Sequence, residues 1–191
     1  MACVVYGSSF VARLMKYERK WYGRECLDVK GQGVGLRGMP GATIGTLRER
    51  MSRDRDLNGC ALVVLQIGSN DLCHADRSAE DVASDLIDLA TFLITTHHVG
   101  RVVICQLLYR QSAAHMDKGL SVGSYNARID MVNEHVTAQC AQTALPISFW
   151  RHGKGVLRAN ALHADGIHIN EEKMERYRHS IIGALSCHHS Q

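Results

Sequence analysis

Two hydrophobic rhythms alternate along this chain, and the alternation limits the fold more than any other feature. The runs Ala2–Tyr6, Cys60–Ile67, Val102–Leu108 and Leu145–Trp150 are short, continuous and rich in β-branched residues. That pattern suits strands buried on both faces. Glu25–Lys30 is a weaker run of the same kind. Between the runs lie helical stripes. Phe10, Leu14, Tyr17 and Trp21 recur at helical spacing, as do Val82, Leu86, Leu89 and Leu93 behind Ser78, with Asp81 placed for a capping box. Val122, Tyr125, Ile129, Val132 and Val136 follow Ser121 in the same rhythm. Met174, Tyr177, Ile181 and Leu185 form the last stripe, with Asn170 as cap and Glu171 and Glu172 at the positive helix end.

Strand and helix alternating about five times imply a three-layer α/β/α architecture with a five-stranded, mainly parallel sheet. At 191 residues, the chain 1–191 is expected to form a single domain with a substantial core. The glycine-rich segment Gly31–Gly45 and the segment Tyr109–Leu120 read as loops rimming one sheet edge. In such folds ligands bind outside the carboxyl ends of the strands.

Composition removes several function classes. The longest strongly apolar run, Cys60–Ile67, is far too short for a membrane-spanning helix. A net charge of +3 gives no indication of nucleic acid. The seven cysteines contain no CxxC pair, and Cys3, Cys60 and Cys105 sit in strand-like runs, as buried thiols do. With no basic-then-apolar leader in view, the expectation is a reduced, cytoplasmic protein or a domain of a longer one. Oligomeric state is left open.

Three distant segments carry the chemistry: Gly7-Ser8-Ser9-Phe10, Gly68-Ser69-Asn70-Asp71 and His163-Ala164-Asp165-Gly166-Ile167-His168. Ser9 and Asn70 each lie just past the carboxyl end of an expected strand. A serine there presents its hydroxyl to the crevice and its N–H at a helix N-terminus. Alone, Ser9, or Ser8, reads as an N-cap and Asn70 as a turn or cap residue. His168 follows Asp165 by three residues. On a turn, that carboxylate can fold back onto Nδ1 and leave Nε2 free to take a proton from serine. The same segment offers His163, Asp165 and His168 as an alternative metal set, but neither HExxH nor a cysteine cluster supports one. Gly33-Val34-Gly35-Leu36-Arg37-Gly38 matches GxGxxG, yet Pro40 and Gly41 follow where a dinucleotide site needs a helix. The glycines suit a tight loop that brings the Gly38 N–H to an oxyanion. Together, Ser9, Asp165 and His168 supply nucleophile, orienting acid and base, and Ser9, Gly38 and Asn70 supply oxyanion donors. That set needs no metal and no organic cofactor.

No GxSxG motif is present, which argues against an ordinary α/β-hydrolase. The order of the blocks resembles the SGNH (GDSL-like) hydrolase family over nearly the whole chain. Gly7-Ser8-Ser9 is similar to its first block, Gly38-Met39-Pro40-Gly41-Ala42-Thr43 to its second, Gly68-Ser69-Asn70-Asp71 to its third and Asp165-Gly166-Ile167-His168 to its last. One departure stands out: Ser8 occupies a position where the family usually has aspartate. The stretch Gly7–Val11 with Arg13 looks closer to SGNH domains of animal retroelement proteins than to secreted lipases. The resemblance implies a flavodoxin-like SGNH fold and a serine ester hydrolase acting on a carboxylic ester, acetyl or lipid, through an acyl-enzyme. Its expected partner is a small-molecule ester. The alternative it implies is an inactive SGNH-fold module that binds RNA or protein.

Overall fold

The computed structural model describes residues 2–157 and 161–187. Six strands form one sheet: β1 (Cys3–Gly7), β2 (Cys26–Val29), β3 (Gln32–Gly38), β4 (Leu62–Gln66), β5 (Val102–Cys105) and β6 (Ile147–Trp150), in the spatial order β2-β3-β1-β4-β5-β6. All neighbours are parallel except the β2–β3 hairpin. The helices are α1 (Ser9–Tyr22), α2 (Ile44–Ser52), α3 (Ala79–His97), α4 (Val122–Gln142), α5 (Lys154–Leu157) and α6 (Glu171–Ser186).

The architecture is the expected three-layer one, with one strand more than the five expected. The addition is β3, within the glycine-rich segment read as a loop. Only Val34 and Leu36 of β3 are buried, and glycines at Gly33, Gly35 and Gly38 hide its period. Its hairpin partner β2 turns through Lys30 and Gly31, both at positive φ, the geometry that matches strand twist in a two-residue turn.

The continuous apolar runs are explained by burial on both faces. Along β1, Val4 and Tyr6 enter the core beneath α2, α3 and α4, while Cys3 and Val5 enter the core beneath α1 and α6. β4 and β5 divide in the same way. The caps form as the sequence indicates: Ser78 and Ser121 close capping boxes with Asp81 and Ser124, and Asn170 accepts from the Lys173 N–H. One stripe differs. The buried face of α1 is Phe10, Val11, Leu14 and Glu18, whereas Trp21 is 57 % exposed. Glu18 lies fully inside because Arg178 of α6 pairs with it. Among the described residues, no helix is long and apolar enough to cross a membrane.

The chain runs from β1 to β2 and β3 on one side, then crosses to β4 on the other. The carboxyl ends of β1 and β4 therefore flank the point where the winding direction reverses, where a crevice opens in this class of sheet.

Candidate active site

Ser9 is the first residue of α1, directly after β1. Its N–H stands where a helix has no internal acceptor to offer. Ser8, between strand and helix, is buried, donates its N–H to Gln66 O at 3.2 Å and accepts from the Ala12 N–H. It supplies no side-chain cap to α1, so the cap reading of this serine pair does not describe the structure.

Asp165 and His168 sit in a turn ahead of α6. The Leu162–Ile169 bridge and the 2.6 Å bond from His163 N–H to His168 O close this turn. Within it, Asp165 Oδ1 accepts the N–H groups of Ile167 and His168, each at 2.9 Å. Asp165 Oδ2 faces His168 Nδ1 at 2.8 Å, and His168 Nε2 faces Ser9 Oγ at 2.8 Å. Since an ionised carboxylate only accepts, Nδ1 carries the ring proton and Nε2 accepts from the serine hydroxyl. Three side chains from opposite ends of the sequence thus form one hydrogen-bonded line.

Two influences compete at Asp165. Burial pushes its carboxyl up, but the His168 and Ile167 N–H groups and the His168 ring outweigh it and hold the carboxyl well below the usual carboxylate range. His168 lies below the ordinary imidazole value, chiefly because burial disfavours its charge. Asp165 pulls it up; Arg13 and Arg110 push it down. The sequence did not single out Arg13 for this role. It reaches Asp165 Oδ2 at 3.1 Å, from the turn of α1 that follows Ser9.

Asn70 lies just past β4, and its Nδ2 donates to Ala42 O at 2.8 Å, which leaves its second N–H for other work. The neighbouring Asp71 is buried and accepts the Ile44 N–H at the start of α2. Burial pushes its carboxyl up to about 6 against the pull of that N–H. Asn70 and Asp71 together tie the end of β4 to the segment leading into α2.

The expectation for Gly38 is not met. Its N–H points to Met15 Sδ at 3.4 Å, and it ends β3 against α1. A Cβ there would overlap the Ala12 backbone. This glycine is required by helix-to-strand packing, not by the crevice. The cavity-lining glycine is Gly41, three residues later, at φ +77° in the turn before α2. A positive φ in this turn was a readable signal, since Pro40-Gly41 is a type II turn pair.

Ser9, Gly41, Asn70 and His168 line one cavity of about 400 Å³, walled by Phe10, Leu108 and Ile167. Outside the cavity lining, buried His152 joins Gln66 Oε1 and Ser180 Oγ, each at 2.8 Å. Burial lowers its pKa to about 4, so this second histidine remains a neutral structural link near neutral pH. Of the alternative metal set, His163 Nδ1 lies 3.6 Å from Asp165 Oδ2. Among the described residues, no three His, Cys, Asp or Glu side chains form a group able to hold a metal ion. The GxGxxG glycines lie on β3, with no helix opening after them.

A hydroxyl bonded to a neutral imidazole, itself held by a carboxylate, can lose its proton as the oxygen attacks an electrophile. Nearby N–H groups can meet the negative charge that results.

No protein-family model matches the sequence, and no curated protein matches it. Solved structures do. A GDSL-like lipase from Bacteroides thetaiotaomicron is similar over 97% of this chain and 88% of its own, at 18% identity and a TM-score of 0.66. An acetylxylan esterase from Geobacillus stearothermophilus matches over 96% of this chain and 93% of its own, at 14% identity and a TM-score of 0.66. The lipase/acylhydrolase from Enterococcus faecalis matches over 98% and 96%, at 17% identity and a TM-score of 0.63. Agreement of this extent, together with the four sequence blocks in order, shows that the chain has the SGNH (GDSL-like) hydrolase fold.

Proposed function

We propose that this protein is a serine hydrolase of carboxylic esters. The observation that carries the reading is the unbroken line Asp165–His168–Ser9, with both of its links at 2.8 Å, opening onto a cavity. The esterase and lipase names of the structural neighbours are consistent with it. A pure binding module would have no need of a serine whose hydroxyl is bonded to an oriented, neutral imidazole.

In the proposed reaction, Ser9 Oγ attacks the acyl carbonyl carbon while its proton passes to His168 Nε2. Asp165 holds the Nδ1–H tautomer and stabilises the imidazolium that forms. The carbonyl oxygen becomes an oxyanion, met by the Ser9 N–H, the free N–H of the Asn70 amide and the Gly41 N–H. Gly41 takes the part first expected of Gly38, since it lines the cavity and Gly38 is turned away. The tetrahedral adduct collapses, the alcohol leaves with the proton from His168, and an acyl-Ser9 ester remains. Water then attacks that ester with His168 again as base, which releases the acid and restores the serine.

Hydrolysis of 4-nitrophenyl esters of graded chain length tests the reading, with Ser9→Ala as control. Ser9→Ala is expected to remove turnover while shifting the melting temperature little, because the hydroxyl faces a cavity. Wild-type turnover in a folded Ser9→Ala protein would sink the nucleophile assignment.

A further inference from the structure

Arg110 performs no step of the hydrolysis proposed above beyond pushing the His168 pKa down, yet it lies in the wall of the same cavity. Its backbone is clamped to α4. The Arg110 N–H donates to Asn126 Oδ1 at 3.1 Å, and Asn126 Nδ2 donates to Arg110 O at 2.9 Å. Its side chain is held over the Tyr125 ring, with the guanidinium carbon 4.1 Å from the ring centre. Nη1 donates to Ala114 O at 3.3 Å. The residue is only 4 % exposed.

What this guanidinium lacks is a counter-charge. Among the described residues no carboxylate forms an ion pair with it, and neither aspartate nor glutamate lines the cavity. The cavity also holds the side chains of His74, His115 and His168, none of them a carboxylate. The acidic groups next to the lining residues are engaged elsewhere: Asp117 faces His74 at 3.6 Å, Asp71 accepts the Ile44 N–H, and Asp165 holds His168 and Arg13. Tyr125 and Cys73 beside the guanidinium are held neutral near neutral pH, because burial pushes the phenol up to about 12 and raises the thiol. A buried cation met by a ring face, one carbonyl and the neutral Tyr125 and Cys73 side chains, with no opposite charge, retains much of its desolvation cost. A guanidinium also presents a fork of donors that matches carboxylate and phosphate oxygens.

We propose that the ester accepted by this site carries an anionic group, a carboxylate or phosphate, which enters the cavity with the ester and pairs with Arg110. The proposal rests on the ester-hydrolase reading and narrows it to a substrate class. The cavity, at about 400 Å³, is near the lower end for small-molecule sites, so the anion belongs to a short acyl chain or a compact alcohol.

The experiment compares kcat/KM for two matched pairs of esters. One pair is 4-nitrophenyl valerate and 4-nitrophenyl hemiglutarate, whose acyl chains have equal carbon number. The other is phenyl acetate and 4-carboxyphenyl acetate, which moves the anion to the leaving group. Uncatalysed rates are subtracted throughout. Wild type is expected to favour the anionic member of one pair by about tenfold or more, chiefly through KM. The pair that responds tells whether the anion lies on the acyl or the alcohol side. In Arg110→Gln that ratio should fall close to one, and Arg110→Lys should keep part of it. A wild type without preference in either pair overturns the proposal and leaves the esterase reading standing. A preference that persists in Arg110→Gln overturns it as well. If wild type cleaves none of the four esters, the esterase reading itself fails. Should the Arg110 variants not fold, the wild-type ratios alone still decide whether anionic esters are preferred.

Discussion

His168 is where competing charges decide the pH range of the proposed reaction. Only its neutral form accepts a proton from Ser9, so activity should rise as pH increases through its pKa. That pKa lies below the ordinary imidazole value through burial first, with Arg13 and Arg110 pushing the same way and Asp165 opposing them. Removing a positive neighbour favours the imidazolium. Arg13→Met should therefore move the acid limb of the kcat/KM profile to higher pH, while Asp165→Asn should move it lower as well as slow the reaction. An Arg13→Met profile that overlays wild type would show that this ion pair does not tune the base. Asn70 is a second test at this scale. Asn70→Ala should reduce kcat by roughly 10²–10³ with little change in KM, because the charge it meets exists only near the transition state. The loss of its bond to Ala42 O makes a melting curve part of that measurement.

At the scale of elements, β3 and α1 are fitted together at Gly38. Any side chain there meets the Ala12 backbone, which cannot swing aside as a flexible side chain would. Gly38→Ala should destabilise the protein by about 1–3 kcal/mol, the usual range for overpacking. Denaturant unfolding would measure it. Since α1 begins at Ser9, the displacement should also cost activity. A fully stable Gly38→Ala protein would mean that helix and strand can separate at this point. The comparison with Gly41 is instructive. Both glycines belong to the same short segment, but one is required by close packing and the other by a left-handed turn beside the cavity.

Across the whole molecule, the proposed nucleophile and base come from opposite ends of the chain, so their register depends on how α1 packs against α6. The buried pair of Glu18 on α1 and Arg178 on α6 joins these helices. Among the described residues Glu18 Oε2 has no hydrogen-bond partner, while Glu175 shares the guanidinium at 3.2 Å. Breaking a buried pair leaves one charge uncompensated, at a cost of about 3–5 kcal/mol. Arg178→Met should lose stability on that scale. Glu18→Leu combined with Arg178→Met should be less damaged than Arg178→Met alone, because no lone charge is then left inside. A double variant as unstable as the sum of its single variants would show that the pair is not coupled.

The chain's own pattern was enough for the layered α/β architecture, since strands buried on both faces and helices buried on one need different periods. It was also enough for Ser9, Asn70, Asp165 and His168 as candidates, because their local contexts, strand ends and a turn before a helix, are short-range features. Tertiary structure decided what depends on approach between distant segments. β3 was hidden because glycines fitted to α1 erase its alternation. Glu18 is inside and Trp21 outside because Arg178 arrives from the far end of the chain. Gly38 and Gly41 were indistinguishable as glycines until the positions of Ala12 and the cavity separated them. Arg110 followed the same logic: nothing near it in sequence shows that its charge is buried over Tyr125 with no acidic partner among the described residues, since that depends on which side chains the fold brings around it.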